Sequence, residues 1–186
     1  MAFEPLPNAR FRVESERGVE RIVIPAGRNW FILIFLPVWL IGWSAGGVAA
    51  FTQAMSGEDT GFLVIWLAFW AVGMLFAISW LGWQLSGKEI LWVEQGALVR
   101  GWSMFGVGRH KRYDLAQIRN LSAGTPPFPF TMMSVSYPPF FPMTFGSVKW
   151  NYGAATIYAG GGLTEAEGSM IVERLSPKLP LAARQG

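Results

Sequence analysis

Two apolar stretches decide the fold of this chain: residues 30–51, WFILIFLPVWLIGWSAGGVAAF, and residues 62–83, FLVIWLAFWAVGMLFAISWLGW. Neither contains a charged side chain. As an α-helix each stretch would extend about 33 Å, close to the roughly 30 Å hydrocarbon core of a bilayer. Tryptophan lies at the start of the first stretch and near both ends of the second, as is typical of segments that reach a membrane interface. We therefore predict two transmembrane helices rather than the buried helices of a soluble core.

The composition of the whole chain agrees with a membrane protein. Charged residues make up 15% of the sequence, whereas a soluble domain usually carries about a quarter. The chain has no cysteine, which excludes a disulfide framework, a thiol nucleophile and an iron–sulfur cluster.

The distribution of basic residues predicts the orientation of the two helices. The linker TQAMSGEDT is short enough to require an antiparallel hairpin, and it has no Lys or Arg. Basic residues flank the apolar stretches instead: Arg10, Arg12, Arg17, Arg21 and Arg28 precede the first, and Lys88 follows the second. By the positive-inside rule, both termini are cytoplasmic. A cleaved signal peptide fits poorly, because the lead before the first stretch contains four acidic residues.

Small residues recur at four-residue spacing in both predicted helices. Gly42 and Gly46 form one such pair, and Gly73 and Ala77 form another. Such pairs let helix backbones approach closely in lipid, so these four residues are candidates for packing between the spans. The alternative is that Gly and Ala are simply common in membrane spans.

Outside the apolar stretches the pattern changes to short alternating segments that predict β-strands. Glycine-marked turns at 95–96 and 105–109 separate several of them, and a further hairpin is predicted around 16–18. Near the C-terminus, Thr164 and Glu167 form a capping box that opens an amphipathic helix ending near Ser176-Pro177.

These elements predict a membrane α-helical hairpin joined to a β-rich cytoplasmic barrel or sandwich that a C-terminal helix closes. The predicted organisation is an N-terminal cytoplasmic segment with a β-hairpin at 1–28, a transmembrane hairpin at 29–84, a β domain at 85–180 with its helix at 164–176, and a Pro/Phe-rich insertion at 124–146.

This layout resembles a family. The segments GKEILWVEQGALVRGW, GRHKRYDLAQIRNL and VKWNYGAATIYAGGGLTEAEGSMIVERL look like the pleckstrin-homology-like domains of small bacterial membrane proteins with two spans. The matching features are the G-x-E-x-L strand entry, the Y-D-L-x-x-I strand and the glycine turn before L-T-E-A-E. The resemblance covers roughly residues 86–179 and implies a membrane-tethered binding or scaffolding module in the inner membrane. The insertion at 124–146 departs from the compact loops expected of such domains.

Catalytic and metal-binding patterns are absent from the sequence. The one histidine, His110, has no histidine or cysteine to share a metal with. A P-loop, a complete dinucleotide fingerprint and a nucleophile elbow are also missing. We therefore predict no catalytic residue, cofactor or metal. The alternative is a membrane-interface enzyme acting on a lipid-like substrate, which would need a cavity lined by Asp114, His110 and Arg109.

The strongest electrostatic feature is the run Arg109, His110, Lys111 and Arg112, with Arg100 and Arg119 nearby in sequence. Facing the cytoplasmic leaflet, each cation would contribute on the order of 1 kcal/mol of attraction to anionic headgroups. The alternative is a solvated turn whose charges keep a strand edge from pairing with a neighbour. Nucleic acid is not predicted as a partner, because no helix carries the charges.

The insertion at 124–146 contains six prolines and many apolar side chains but no charge. Disorder is not expected, because it accompanies low hydrophobicity. Two interpretations remain: a lid that folds onto the β domain, or an exposed surface for the lipid interface or a protein partner. The candidate contact residues are Phe128, Phe130, Met132, Met133, Tyr137, Phe140, Phe141 and Met143.

Together these patterns predict a non-catalytic module tethered to the membrane. Its expected ligands are membrane lipid and a protein partner or a second copy of the chain.

Overall fold

A computed structural model describes residues 9–57, 60–125 and 146–184. The chain divides into two units. The helical unit contains residues 28–85, and the β unit contains the described residues before 28 and after 85. This agrees with the predicted helix-plus-sheet layout.

The helical unit consists of α1 (Trp30–Met55) and α2 (Thr60–Ser86). Asn29 caps α1, since its Oδ1 accepts hydrogen bonds from the amides of Phe31 and Ile32 at 3.0 and 3.3 Å. Large apolar side chains point outward along both helices, with Trp30 71% and Phe69 76% exposed. Both helices are long and apolar enough to cross a membrane.

Inside the helical unit the two helices pack through a narrow stripe. Leu36, Leu40 and Ala77 are buried together. Further along, Gly47 lies under the indole of Trp70, whose Nε1 donates to the carbonyl of Trp43 at 3.2 Å. Trp70 can approach so closely only because Gly47 has no side chain.

The four predicted packing residues divide between two surfaces. Gly73 and Ala77 face α1: a Cβ on Gly73 would contact Trp43 at 3.6 Å, and Ala77 is buried. Gly42 and Gly46 are exposed, and a Cβ on either would contact nothing within 4 Å. At about 100° per residue, Gly42 lies about 200° around the helix from Leu40, so it cannot share that packing stripe.

The β unit contains two antiparallel sheets. The first has the order β1 (Arg12–Glu16), β2 (Val19–Pro25), β3 (Lys88–Glu94), β4 (Ala97–Met104) and β5 (Val107–Asp114). The second has the order β6 (Ile118–Ala123), β7 (Gly146–Tyr152) and β8 (Ala155–Gly161). The described strands form two separate sheets rather than a closed barrel.

The hairpins of the first sheet close through two-residue turns. Their central residues are Arg17-Gly18, Gln95-Gly96 and Phe105-Gly106, and all six have φ between +49° and +81°. This geometry is that of a type I′ turn, whose twist matches that of the flanking strands.

The N-terminal hairpin belongs to the first sheet although the helical unit separates it from β3 in sequence. Pro25 pairs with Lys88, and the amide of Ala26 donates to the carbonyl of Gly87 at 2.9 Å. Ile22 and Ile24 alternate along β2 and are buried in the core of the β unit. The β-hairpin predicted within residues 1–28 is thus part of the β unit.

The C-terminal helix α3 (Glu165–Leu175) begins with the capping box that the sequence predicted. Glu167 accepts from the amide of Thr164 at 2.8 Å and also from the amide of Arg10 at 2.7 Å. Burial opposes ionisation of Glu167, but these amide donors outweigh it and lower its pKa below the ordinary value of 4.5. A 3₁₀ turn (Ser176–Lys178) leads to α4 (Leu181–Arg184).

One core joins these elements. It draws Leu91, Leu98 and Tyr113 from the first sheet, Trp150 from the second, and Ile171 from α3. The rings of Tyr113 and Trp150 meet edge to face at 5.4 Å, a favourable geometry for aromatic pairs.

Substituting Gly47 tests the packing of the helical unit. In Gly47→Leu the new Cβ would lie 2.3 Å from the indole of Trp70, so we expect a loss of about 1–3 kcal/mol in the free energy of unfolding. Gly46→Leu is the matched control, because its Cβ meets open space. Thermal unfolding in detergent, followed by far-UV circular dichroism, compares the two variants. Equal stability would contradict the packing described.

Candidate functional site

The predicted basic residues lie on β5, the outer strand of the first sheet. Arg109, His110, Lys111 and Arg112 are all exposed. Successive side chains of a strand point to opposite faces, so Arg109 and Lys111 lie on one face and His110 and Arg112 on the other. The basic run is therefore a strand that presents positive charge on both faces, rather than a turn.

These residues contact neutral groups in the part of the chain that the structure describes. Lys111 Nζ lies 5.4 Å from the ring centroid of Tyr113, and Arg112 donates to Gln95 Oε1 at 3.4 Å. The imidazole of His110 lies 6.3 Å from the ring of Trp92. Within the described ranges, no carboxylate forms an ion pair with any of the four.

The face of the first sheet that carries His110 and Arg112 is less basic on the strands away from β5. Arg21 lies 5.1 Å from the ring of Trp92, but it also forms an ion pair with Glu16. The indole Nε1 of Trp92 donates to Glu94 at 3.2 Å. Because two carboxylates lie among these residues, the positive charge there is partly compensated.

Arg100, which the sequence grouped with the basic run, is fully buried instead. Its Nε donates to Glu89 Oε1 at 2.5 Å, and its guanidinium carbon lies 4.6 Å from the ring centroid of Trp102. Arg100 therefore cannot meet a lipid headgroup. The reason is register: Arg100 follows Leu98 by two residues on β4, so both point into the core.

Glu89 is the residue that sequence reasoning missed. Its Oε2 accepts from the amides of Gly160 and Gly161 on β8 at 2.9 and 3.3 Å. The carboxylate thus joins the first sheet to the second, with Arg100 as its counter-ion. The alternation of side chains along β3 could have revealed it, since Glu89 lies two residues before the buried Leu91 and so points to the same face.

Arg119 also differs from the basic run. It lies on β6 in the second sheet, and its Nη1 donates to the carbonyls of Ala116 and Ile118 at 2.7 and 2.8 Å. Its guanidinium holds the turn between β5 and β6.

The residues of the enzymatic alternative do not converge. Asp114 Oδ1 accepts from the amide of Ala116 at 2.9 Å and so caps the 3₁₀ turn Leu115–Gln117. His110 lies four residues away, about 13 Å along the strand, and Arg109 points to the opposite face. Among the described residues, no three His, Cys, Asp or Glu side chains are placed to hold a metal ion.

The predicted aromatic and methionine contact residues lie outside the described residues. They are Phe128, Phe130, Met132, Met133, Tyr137, Phe140, Phe141 and Met143.

Comparison with known proteins does not assign this chain to a family. No protein-family profile, curated protein or solved structure matches this chain.

Replacing Arg100 tests whether the buried ion pair holds the two sheets together. Arg100→Met leaves the carboxylate of Glu89 buried without its counter-ion, and we expect a loss of about 3–5 kcal/mol in the free energy of unfolding. Lys111→Met is the matched control, because Lys111 pairs with Arg100 in register but is exposed; its effect should stay within about 0.5 kcal/mol. Chemical denaturation followed by tryptophan fluorescence measures both. Equal losses would refute a structural role for the pair.

Proposed function

We propose that this chain is a non-catalytic binding module tethered to a membrane by α1 and α2. In this proposal the β unit is a pleckstrin-homology-like domain that engages anionic lipid headgroups at the cytoplasmic face of a bacterial inner membrane. The two antiparallel sheets around one core, with α3 packed into it, support the domain type.

One observation carries the choice of ligand: β5 exposes Arg109, His110, Lys111 and Arg112 without a described counter-ion. Three permanent cations near anionic headgroups would contribute on the order of 1 kcal/mol each. Contacts this weak suffice for a tethered domain, because the anchor keeps the domain at a high effective concentration near the surface. Interaction with a protein partner or a second copy of the chain remains a proposal, which rests on the apolar composition of the insertion at 124–146.

Orientation follows from charge. Arg12, Arg17, Arg21 and Arg28 precede α1 and Lys88 follows α2, while no Lys or Arg lies between the helices. The positive-inside rule therefore supports a cytoplasmic location for both termini.

Lipid retention by the detergent-solubilised full chain tests the proposal. Native mass spectrometry would count bound phosphatidylglycerol and phosphatidylcholine. We expect the wild type to prefer phosphatidylglycerol, and a triple Gln variant of Arg109, Lys111 and Arg112 to lose about 100-fold in that affinity if three contributions of about 1 kcal/mol add. High salt should reduce the preference of the wild type, because the site is exposed.

The matched control removes the same charge elsewhere: a triple Gln variant of Arg12, Arg17 and Lys149. It should retain the preference for phosphatidylglycerol. Equal losses in the two triple variants would mean that net charge, not β5, attracts the lipid, and the proposal would fail.

A further inference from the structure

The turn between β4 and β5 carries two exposed apolar side chains. Phe105 is 65% exposed and Val107 is 79% exposed. We call residues 105–107 the hairpin tip. The corresponding first positions of the other two type I′ turns are the polar residues Arg17 and Gln95.

Phe105 occupies a backbone conformation that suits its side chain poorly. Its φ is +51°, a region in which Asn, Asp and Gly are favoured and a bulky side chain is an outlier. A phenylalanine here gains little from the turn itself, and most of its ring is in solvent. The residue therefore points to a contact outside the described part of the chain.

A hydrogen bond within the β unit links the hairpin tip to Ser86. The amide of Phe105 donates to Ser86 Oγ at 3.0 Å. Ser86 is the last residue of α2 and the first of this segment of the β unit. It follows Trp83, the end of the predicted span, by three residues, about 4.5 Å along a helix. If α2 crosses the bilayer, a turn bonded to Ser86 lies near the depth of the headgroups.

The order of side chains along β5 complements such a surface. Val107, Arg109 and Lys111 share one face of the strand. The cations therefore follow the apolar tip at about 7 and 13 Å. An apolar end followed by cations matches the boundary between acyl chains and anionic headgroups.

We infer that the hairpin tip inserts into the same bilayer that α2 leaves, with Arg109 and Lys111 contacting its anionic headgroups. This inference rests on the proposed function and deepens it. Phe105 and Val107 are the inserted side chains, and Ser86 positions the turn by accepting the Phe105 amide.

A depth measurement on the full chain tests the insertion. Because the sequence has no cysteine, Val107→Cys can be labelled at a single site with the fluorophore NBD. The labelled chain is reconstituted in vesicles containing phosphatidylglycerol and a lipid with a doxyl quencher at a shallow acyl position. We expect blue-shifted emission and strong quenching.

The control label is Arg17→Cys, in the β1–β2 turn. That turn lies at the end of the sheet opposite the Pro25–Lys88 pair, because β2 runs from Val19 to Pro25. Its label should emit as in water and escape quenching. If the Val107 label behaves like the Arg17 label, the tip does not insert. A blue-shifted Val107 label that the doxyl lipid does not quench would mean that protein covers the tip, as would a blue shift that grows with protein density. Either result would overturn the inference.

Phe105→Asn separates insertion from a role in folding. Asn accepts positive φ more readily than Phe, so the thermal midpoint of the detergent-solubilised protein should not fall. In the Val107→Cys background, the same substitution should reduce quenching by at least half. A lower thermal midpoint would show that Phe105 packs within the protein, contrary to the inference.

Headgroup binding by β5 and insertion of the hairpin tip can be rejected independently of each other. Loss of the phosphatidylglycerol preference in the β5 triple variant, together with a water-exposed Val107 label, would retain headgroup binding and reject insertion. Quenching of the label without any effect of the β5 charges would reject the proposed headgroup contact instead.

Discussion

A backbone hydrogen bond from Ala26 to Gly87, 2.9 Å long, holds together two segments that the whole helical unit separates in sequence. It extends the pairing of β2 with β3, and the whole helical unit lies between its two residues in sequence. β2 can therefore pair with β3 only when the two ends of the helical hairpin come together. Inside the helical unit, a bond of 3.0 Å from the amide of Asn29 to Gln84 Oε1 closes the same end of the hairpin.

Four consecutive residues, beginning with Ser86 at the end of α2, contact several other parts of the β unit. Ser86 accepts the amide of Phe105, Gly87 accepts that of Ala26, and Lys88 pairs with both Pro25 and Ser103. Glu89 then joins the second sheet through two backbone amides and the buried Arg100.

Local patterns allowed much of the fold to be predicted. Apolar length revealed the helices, glycine positions revealed the turns, and the Thr164–Glu167 spacing revealed the start of α3. Long-range register could not be read in this way: the pairing of β2 with β3 across the helices, the inward position of Arg100 and the close approach at Gly47 each depend on tertiary packing. For the candidate site, the sequence identified the basic residues but not Phe105, because its unusual φ and its bond to Ser86 exist only in the folded chain.

The orientation of the chain in the membrane decides whether the β unit can reach the cytoplasmic leaflet. Single-cysteine variants Ser56→Cys, between α1 and α2, and Leu181→Cys, on α4, would be treated in intact bacterial cells with a membrane-impermeant maleimide. We expect labelling of Ser56→Cys in intact cells and of Leu181→Cys only after permeabilisation. Labelling of Leu181→Cys in intact cells would place the β unit outside, away from the cytoplasmic leaflet, and would contradict the proposed binding of cytoplasmic headgroups.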